Sequence, residues 1–166
     1  MQQLETASST AEVNQFLSFT LGAEEYGIDI LKVQEIKGYS AITHIPNAPP
    51  HVKGVMNLRG TVVPVVDLRA KFSMEPVEYN KFTVIIVVMV GEKIAGLVVD
   101  AVSDVLNVAA SEVRPAPDLG ARCDTRFIKG VVSVGDKLAV LLEIDKLLRD
   151  EDVAVEPERS RVKEAA

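Results

Sequence analysis

The sequence predicts an all-β fold of two small pseudo-repeated barrels with only short helices. Three observations carry this expectation: the chain repeats itself, its apolar runs are short and β-branched, and glycines punctuate them at turn spacing. "FLSFTLGAEEYGIDILKVQEI" (Phe16 to Ile36) lies without a gap on "IIVVMVGEKIAGLVVDAVSDV" (Ile85 to Val105). That places Gly22 on Gly91, Gly27 on Gly96, Val33 on Val102 and Glu35 on Asp104. A second block, Val52 to Phe72, lies on Ile128 to Leu148 and brings Lys53-Gly54-Val55 onto Lys129-Gly130-Val131 and Asp67 onto Glu143. The extra residues of the second copy fall in the loop around "RPAPDLGARCDTR".

Each unit reads in order. Phe16 to Leu21 alternates between two faces as a strand does, and Gly22 turns the chain into a second strand through Tyr26, Gly27 and Ile28. In "ILKVQEI", Ile30, Val33 and Ile36 recur three apart, which predicts a short helical turn. The proline-rich "THIPNAPPHVKG" follows. "GVMNL" and "TVVPVVDL" then pair as a hairpin across Arg59-Gly60, where Gly60 supplies φ > 0. Pro64 predicts an edge strand, or a face that donates no ladder bond. A short helix closes each unit, "LRAKF" in one copy and "IDKLLRD" in the other, with Asp67 and Glu143 expected as N-caps. Four or five short strands in roughly 65 residues make a small barrel, which leaves no open sheet edge. Two such barrels would bury a seam between them, and neither would be very stable alone.

The expected organisation is a polar N-terminal tail over residues 1–14, a folded part over 15–149, and a charged C-terminal tail over 150–166. The folded part divides into halves of roughly 15–80 and 81–149, between which strands could be exchanged. Apolar residues make up 48% of the chain, enough for a core, and with no tryptophan that core must be aliphatic. A net charge of −6 argues against nucleic acid and against an anionic membrane surface, both of which need a basic footprint. No stretch is long enough to cross a bilayer as a helix, "VIIVVMV" (Val84 to Val90) being a strand-sized run. With neither a secretory signal nor a second cysteine beside Cys123, a soluble cytoplasmic protein is expected.

Chemistry-bearing motifs are missing. No glycine-rich phosphate loop occurs, and no serine sits in a nucleophile elbow. His44, His51 and one cysteine are too few for a zinc site, so no metal or cofactor is expected. Asp100 and Asp104 read as a solvated face. Polar residues are spread over turns instead of converging on a pocket, and an enzyme is not expected.

"EEYGIDILKVQEIKGY", "VKGVMNLRGTVVPVVDLR", "GLVVDAVSDVL" and "RPAPD", in this order and spacing, together resemble the CheW family, the coupling proteins of bacterial chemotaxis. The resemblance spans about Gln15 to Arg149. It implies two five-stranded SH3-like barrels and a non-catalytic adaptor. The implied partners are the regulatory domain of the histidine kinase CheA and the cytoplasmic tips of chemoreceptors, with array rings in which the adaptor could also meet its own kind. It also implies a location at receptor arrays on the inner face of the membrane.

The partner-binding candidates that the resemblance implies are Val33, Glu35, Gly54, Asn57, Leu58, Arg59 and Gly60, with Val98, Val99, Val102 and Val105 lining a groove for a receptor helix, roughly half of these last four being expected in the core instead. The second copy has Gly135 in place of Arg59, so the fold does not need the arginine. The resemblance implies that Arg59 and Glu35, both matching charged positions of the CheW pattern, form an ion pair that orients the partner surface; the other reading of Arg59 is a solvated turn charge. Val33 equally suits core packing, and Gly54 and Gly60 equally suit a backbone requirement. Alternatives are a CheW-like module of a larger CheA or CheV-type protein, or a small-ligand or enzymatic β-barrel.

Overall fold

The computed structural model describes residues 13–40, 42–115 and 127–148. Most of both expected tails, Cys123 and most of the longer loop of the second copy lie outside the described residues. Ten strands are described: β1 (Val13–Leu21), β2 (Glu24–Asp29), β3 (Val33–Gly38), β4 (Val52–Leu58), β5 (Thr61–Asp67), β6 (Val84–Val90), β7 (Lys93–Val99), β8 (Ala101–Ala109), β9 (Ile128–Val134) and β10 (Lys137–Leu142). Two one-turn helices, α1 (Leu68–Lys71) and α2 (Ile144–Leu147), follow β5 and β10, and 3-10 turns occupy Ile30–Lys32 and Ala110–Glu112. β1 starts two residues before the expected edge of the folded part, because Val13 and Asn14 already pair with Ala109 and Val108 of β8.

The strands form two five-stranded sheets, ordered β8-β1-β2-β10-β9 and β3-β6-β7-β5-β4. In the repeat alignment, β1 to β5 correspond to β6 to β10. Each sheet therefore takes the first two strands of one copy and the last three of the other. The halves 15–80 and 81–149 are thus repeats of sequence, and the sheets cut across them. One sheet, β3 to β7, is continuous in the chain and is here termed the central barrel; the other, β1, β2 and β8 to β10, is the terminal barrel.

Backbone bridges close both sheets at equivalent places. In the central barrel the N–H groups of Thr43 and Val55 each donate to the other's carbonyl at 2.8 Å, joining the segment after β3 to β4. In the terminal barrel Arg114 and Val131 do the same at 2.9 and 2.8 Å, joining the segment after β8 to β9. These bridges explain the repeated Lys-Gly-Val. A Cβ on Gly54 would collide with the Thr43 carbonyl, and one on Gly130 would lie 2.8 Å from the Arg114 carbonyl oxygen.

Strand alternation sorts the side chains into three cores. Met56, Leu58, Val63, Val65, Ile85, Val87 and Val98 fill the central barrel. Phe16, Val108, Val132, Ala139 and Leu141 fill the terminal one. The largest cluster draws on both sheets: Leu17, Phe19, Leu21, Ile28 and Leu142 meet Val66, Leu68, Ile86, Val88, Leu97 and Val99. Burying such a side chain is worth about 1.5–3 kcal/mol, so loss of a few of these contacts would consume a net domain stability of about 5–15 kcal/mol.

Three local expectations need correction. Only Ile30–Lys32 of "ILKVQEI" turns, begun by Asp29, whose Oδ1 accepts from the Leu31 N–H at 2.9 Å; Val33 to Gly38 is strand β3. Pairing of the β-branched Val33 and Ile36 with β6 overrides the three-residue spacing. Of the two settings expected for Pro64, the edge strand is overturned, since β5 lies between β4 and β7, while the other holds: the ladder to β7 covers only Val65 to Asp67, so the missing N–H forfeits no ladder bond. Asp67 caps α1, accepting from the Arg69 N–H at 2.9 Å, whereas Glu143 makes no such bond at α2 and lies 3.7 Å from Lys129 Nζ. The extra methylene of glutamate carries its carboxylate past the free N–H groups.

The second Asp67 oxygen accepts a 2.6 Å hydrogen bond from the Tyr79 hydroxyl, strapping the loop before β6 to the central barrel. Tyr39 packs against Tyr79 with ring centroids 4.4 Å apart. Burial, joined by the hydrogen bond and charge of Asp67, pushes the Tyr79 phenol far above its ordinary range. Burial also raises Tyr39 and Tyr26, with smaller contributions from Asp67 and Glu24 respectively. These are all three tyrosines of the chain. Folded-state values above the unfolded one mean that their stabilising contribution is complete below pH about 10 and is lost as pH rises through the folded values. We expect phenolate absorbance of the native protein to stay low at pH about 10, where the urea-unfolded chain is half ionised, and stability to fall on further alkalinisation. Native titration coinciding with that of the unfolded chain would contradict the strap.

Candidate partner-binding site

The hairpin β4–β5 turns on Arg59 and Gly60, with φ of 52° and 88°. Both values are positive, as a two-residue turn matched to strand twist requires. Asn57 supports the turn from below, its Oδ1 accepting the Gly60 N–H at 2.8 Å. The arginine is an unusual occupant, because a side chain in the left-handed region is strained and glycine is not. At the matching position of the second copy Gly135 takes φ 61° without that strain.

Arg59 is 72% exposed, yet its Nη1 lies 2.8 Å from Glu35 Oε1 on β3. β3 and β4 are the two ends of their sheet, so this ion pair spans the line along which the central barrel closes. Closure itself does not depend on it. The terminal barrel closes through Arg114 and Val131 with no such pair among the described residues, and there Asp104, aligned with Glu35, accepts from the N–H of its neighbour Val105. An exposed pair contributes only about 0–1 kcal/mol to stability, comparable with the strain of the turn it sits on. Neither term explains an arginine at this position.

The remaining candidates separate by burial. Leu58 belongs to the interior of the central barrel, and Gly54 is covered by Thr43. Val98 and Val99, expected in a groove, are 2% and 1% exposed. They lie on β7, flanked on both sides by β6 and β5, so one faces the barrel interior and the other the seam. Val33 and Val102 are half-buried against the seam. Val105, at 40%, is exposed. The surface that remains around the turn therefore consists of Arg59, Gly60, Asn57 and Glu35.

Ile36 was expected on the apolar side of a helical turn and is instead exposed on β3, next to Glu35. It aligns with Val105, so the two copies present equivalent exposed apolar side chains on β3 and β8. Strand alternation across Gln34, Ile36 and Gly38 would have disclosed it. Asp100 was expected on a solvated face but is half-buried, held by Arg69 Nε and Nη2 at 2.9 and 2.7 Å and by the Gly22 N–H at 2.7 Å. Its carboxyl is drawn below the usual range by the hydrogen bonds of Arg69 against the opposing effect of burial, with further help from the Gly22 N–H.

Among the described residues no three histidine, cysteine or carboxylate side chains are grouped as metal ligands. No described helix is long and apolar enough to cross a membrane.

Comparison with known proteins places these features in a family. The family model for the CheW-like domain matches residues 15–152. The chain is 50% identical to the chemotaxis protein CheW of Klebsiella aerogenes over 141 residues, covering 85% of each chain. It is 37% identical to the chemotaxis protein CheW of Rhizobium meliloti, covering 83% of this chain and 89% of that one. The crystal structure of the scaffolding protein TtCheW from Thermoanaerobacter tengcongensis superposes with a TM-score of 0.76 at 33% identity, over 82% of this chain and 92% of that one. With the match running through all ten strands of both interlocked barrels, the chain belongs to the CheW-like domain family.

Proposed function

We propose that the protein is a non-catalytic chemotaxis adaptor that couples chemoreceptor cytoplasmic tips to the regulatory domain of the histidine kinase CheA, in arrays at the inner face of the membrane. The observation that carries this is the 50% identity to a chemotaxis protein CheW over 85% of both chains. The structural relative, the scaffolding protein TtCheW, supports it. The Arg59 hairpin is the partner surface of the central barrel. Glu35 holds the arginine side chain down against β3, so that a partner meets a preset arrangement of charge, with Asn57 and Gly60 fixing the turn beneath it. A preset side chain loses less entropy on binding. The half-buried Val33 and Val102, with the exposed Ile36 and Val105, offer apolar rims along β3 and β8 that suit the apolar face of a receptor helix. Coupling then requires unequal affinity for the signalling states of the receptor, since equal affinity shifts nothing.

The test separates function from folding at one residue. Arg59→Gly relieves the turn and loses an exposed ion pair, so its unfolding free energy from urea titration should stay within about 1 kcal/mol of wild type. CheA autophosphorylation in the presence of receptor tips should nevertheless fall roughly tenfold or more, as when a hot-spot side chain is removed. Wild-type coupling by a folded Arg59→Gly protein would remove the hairpin from the interface. Wild-type protein that never raises kinase activity with both partners present would remove the adaptor reading itself.

A further inference from the structure

The chain order allows only two passages between the barrels. It leaves the terminal barrel after β2 through Ile30–Lys32, and returns after β7 through Asp100. Each passage is tied by an ion pair to the one-turn helix of a barrel. Lys32 Nζ lies 3.0 Å from Asp145 Oδ2 of α2, and Asp100 is held by Arg69 of α1. The two pairs occupy near-equivalent places in the duplicated architecture, with the charges reversed.

They differ in what they bind. Lys32–Asp145 is a single contact between side chains 33% and 46% exposed. Arg69 is only 12% exposed, engages both Asp100 oxygens, and donates from Nη1 to the Glu75 carbonyl at 2.7 Å. Asp100 Oδ2 also accepts from Gly22 in the β1–β2 turn of the terminal barrel, and the Asp100 N–H donates to the Thr20 carbonyl at 3.1 Å. One cluster thus joins the β1–β2 turn of the terminal barrel, the return passage, the helix of the central barrel and the loop after it. A forked, charge-assisted pair is stronger and more directional than a lysine contact at the surface.

We propose that Arg69 and Asp100 form a clamp that fixes the angle between the two barrels, while the Lys32 passage is left compliant. The packed seam resists separation of the barrels but is non-directional, whereas the clamp specifies one orientation. Its use in spacing the two barrels' partner surfaces rests on the adaptor reading; the clamp itself does not.

The experiment is a distance distribution between spin labels at Glu92→Cys on the central barrel and Asp136→Cys on the terminal barrel, in the full chain with Cys123→Ser and with no partner present. Both label sites lie in exposed hairpin turns. Wild type should give one narrow distance. Arg69→Ala should broaden it about twofold, as should Asp100→Asn, which keeps an acceptor for Gly22 but loses the charge. Arg69→Lys should fall between, since it restores charge without the fork, and Lys32→Ala should match wild type. A protein in which the seam alone sets the angle would show unchanged distributions in both Arg69→Ala and Asp100→Asn while circular dichroism remains native, and that overturns the proposal. Should Arg69→Ala fail to fold, Asp100→Asn and Arg69→Lys decide. Kinase coupling is measured separately, so loss of the adaptor function with an intact narrow distance tells against that reading and not against the clamp.

Discussion

Alanine at Gly54 is expected to unfold the central barrel, although only a methyl group is added. Gly54 has φ 148°, where L-residues are strained, at a typical penalty of about 1–3 kcal/mol. The new Cβ would also drive into the Thr43 carbonyl. That carbonyl is backbone, and it accepts the Val55 N–H in the bridge that closes the sheet, so it cannot retreat without opening the barrel. Overpacking of this kind adds about 1–3 kcal/mol, and the bridge's two backbone hydrogen bonds would be weakened with it. The strain and overpacking sum to about 2–6 kcal/mol, a large part of the stability of a domain this size.

Urea unfolding followed by far-ultraviolet circular dichroism measures it directly. Gly60→Ala is the control: that glycine is also at positive φ but its Cβ would meet open space, so only the smaller conformational penalty of about 1 kcal/mol applies. A Gly54→Ala midpoint as mild as that of Gly60→Ala would mean that closure at Thr43 is not rigid. Any loss of partner binding in a Gly54 variant should accordingly be read first as loss of folding.

The duplication, the strand class and the β4–β5 hairpin were legible in the sequence because each rests on local chemistry: matched glycines, alternation, and a two-residue turn between apolar runs. That the shared fold does not require Arg59 was legible because only one of the two copies carries it, whereas its pairing with Glu35 was legible only through the resemblance to the CheW pattern. What eluded sequence reasoning depends on which strands neighbour each other. Val98 and Val99 look like candidates for an exposed groove until β7 is placed between β5 and β6. Asp100 looks solvated until the return passage brings it against Arg69, 31 residues earlier. Ile36 was misplaced by period, because three apolar residues spaced three apart fit a helical turn as well as a bulged strand, and only pairing with β6 decides. Gly54 was open to two explanations, and the steric one became visible only with Thr43 in place.

The exchange of strands makes a second large effect unavoidable. A chain cut at the repeat boundary, near residue 80, gives two pieces that each carry one complete copy of the repeat, yet neither contains a complete sheet of the native structure. The first piece holds β1 and β2 without β8 to β10, and β3 to β5 without β6 and β7. Each would expose its share of the seam, where a handful of side chains at about 1.5–3 kcal/mol apiece exceeds the margin of a small domain. We expect both pieces alone to lack cooperative thermal unfolding. Mixed in equal amounts they should recover native β-structure, because every missing strand is supplied by the other piece, at a free-energy cost of association that makes the midpoint depend on concentration. One alternative would defeat this expectation. The repeat permits β1 and β2 to stand where β6 and β7 stand, giving an unexchanged barrel from one copy alone. Cooperative folding of the first piece by itself would show that this arrangement is accessible, and that the native exchange is held by the seam and the two passages instead of by strand complementarity.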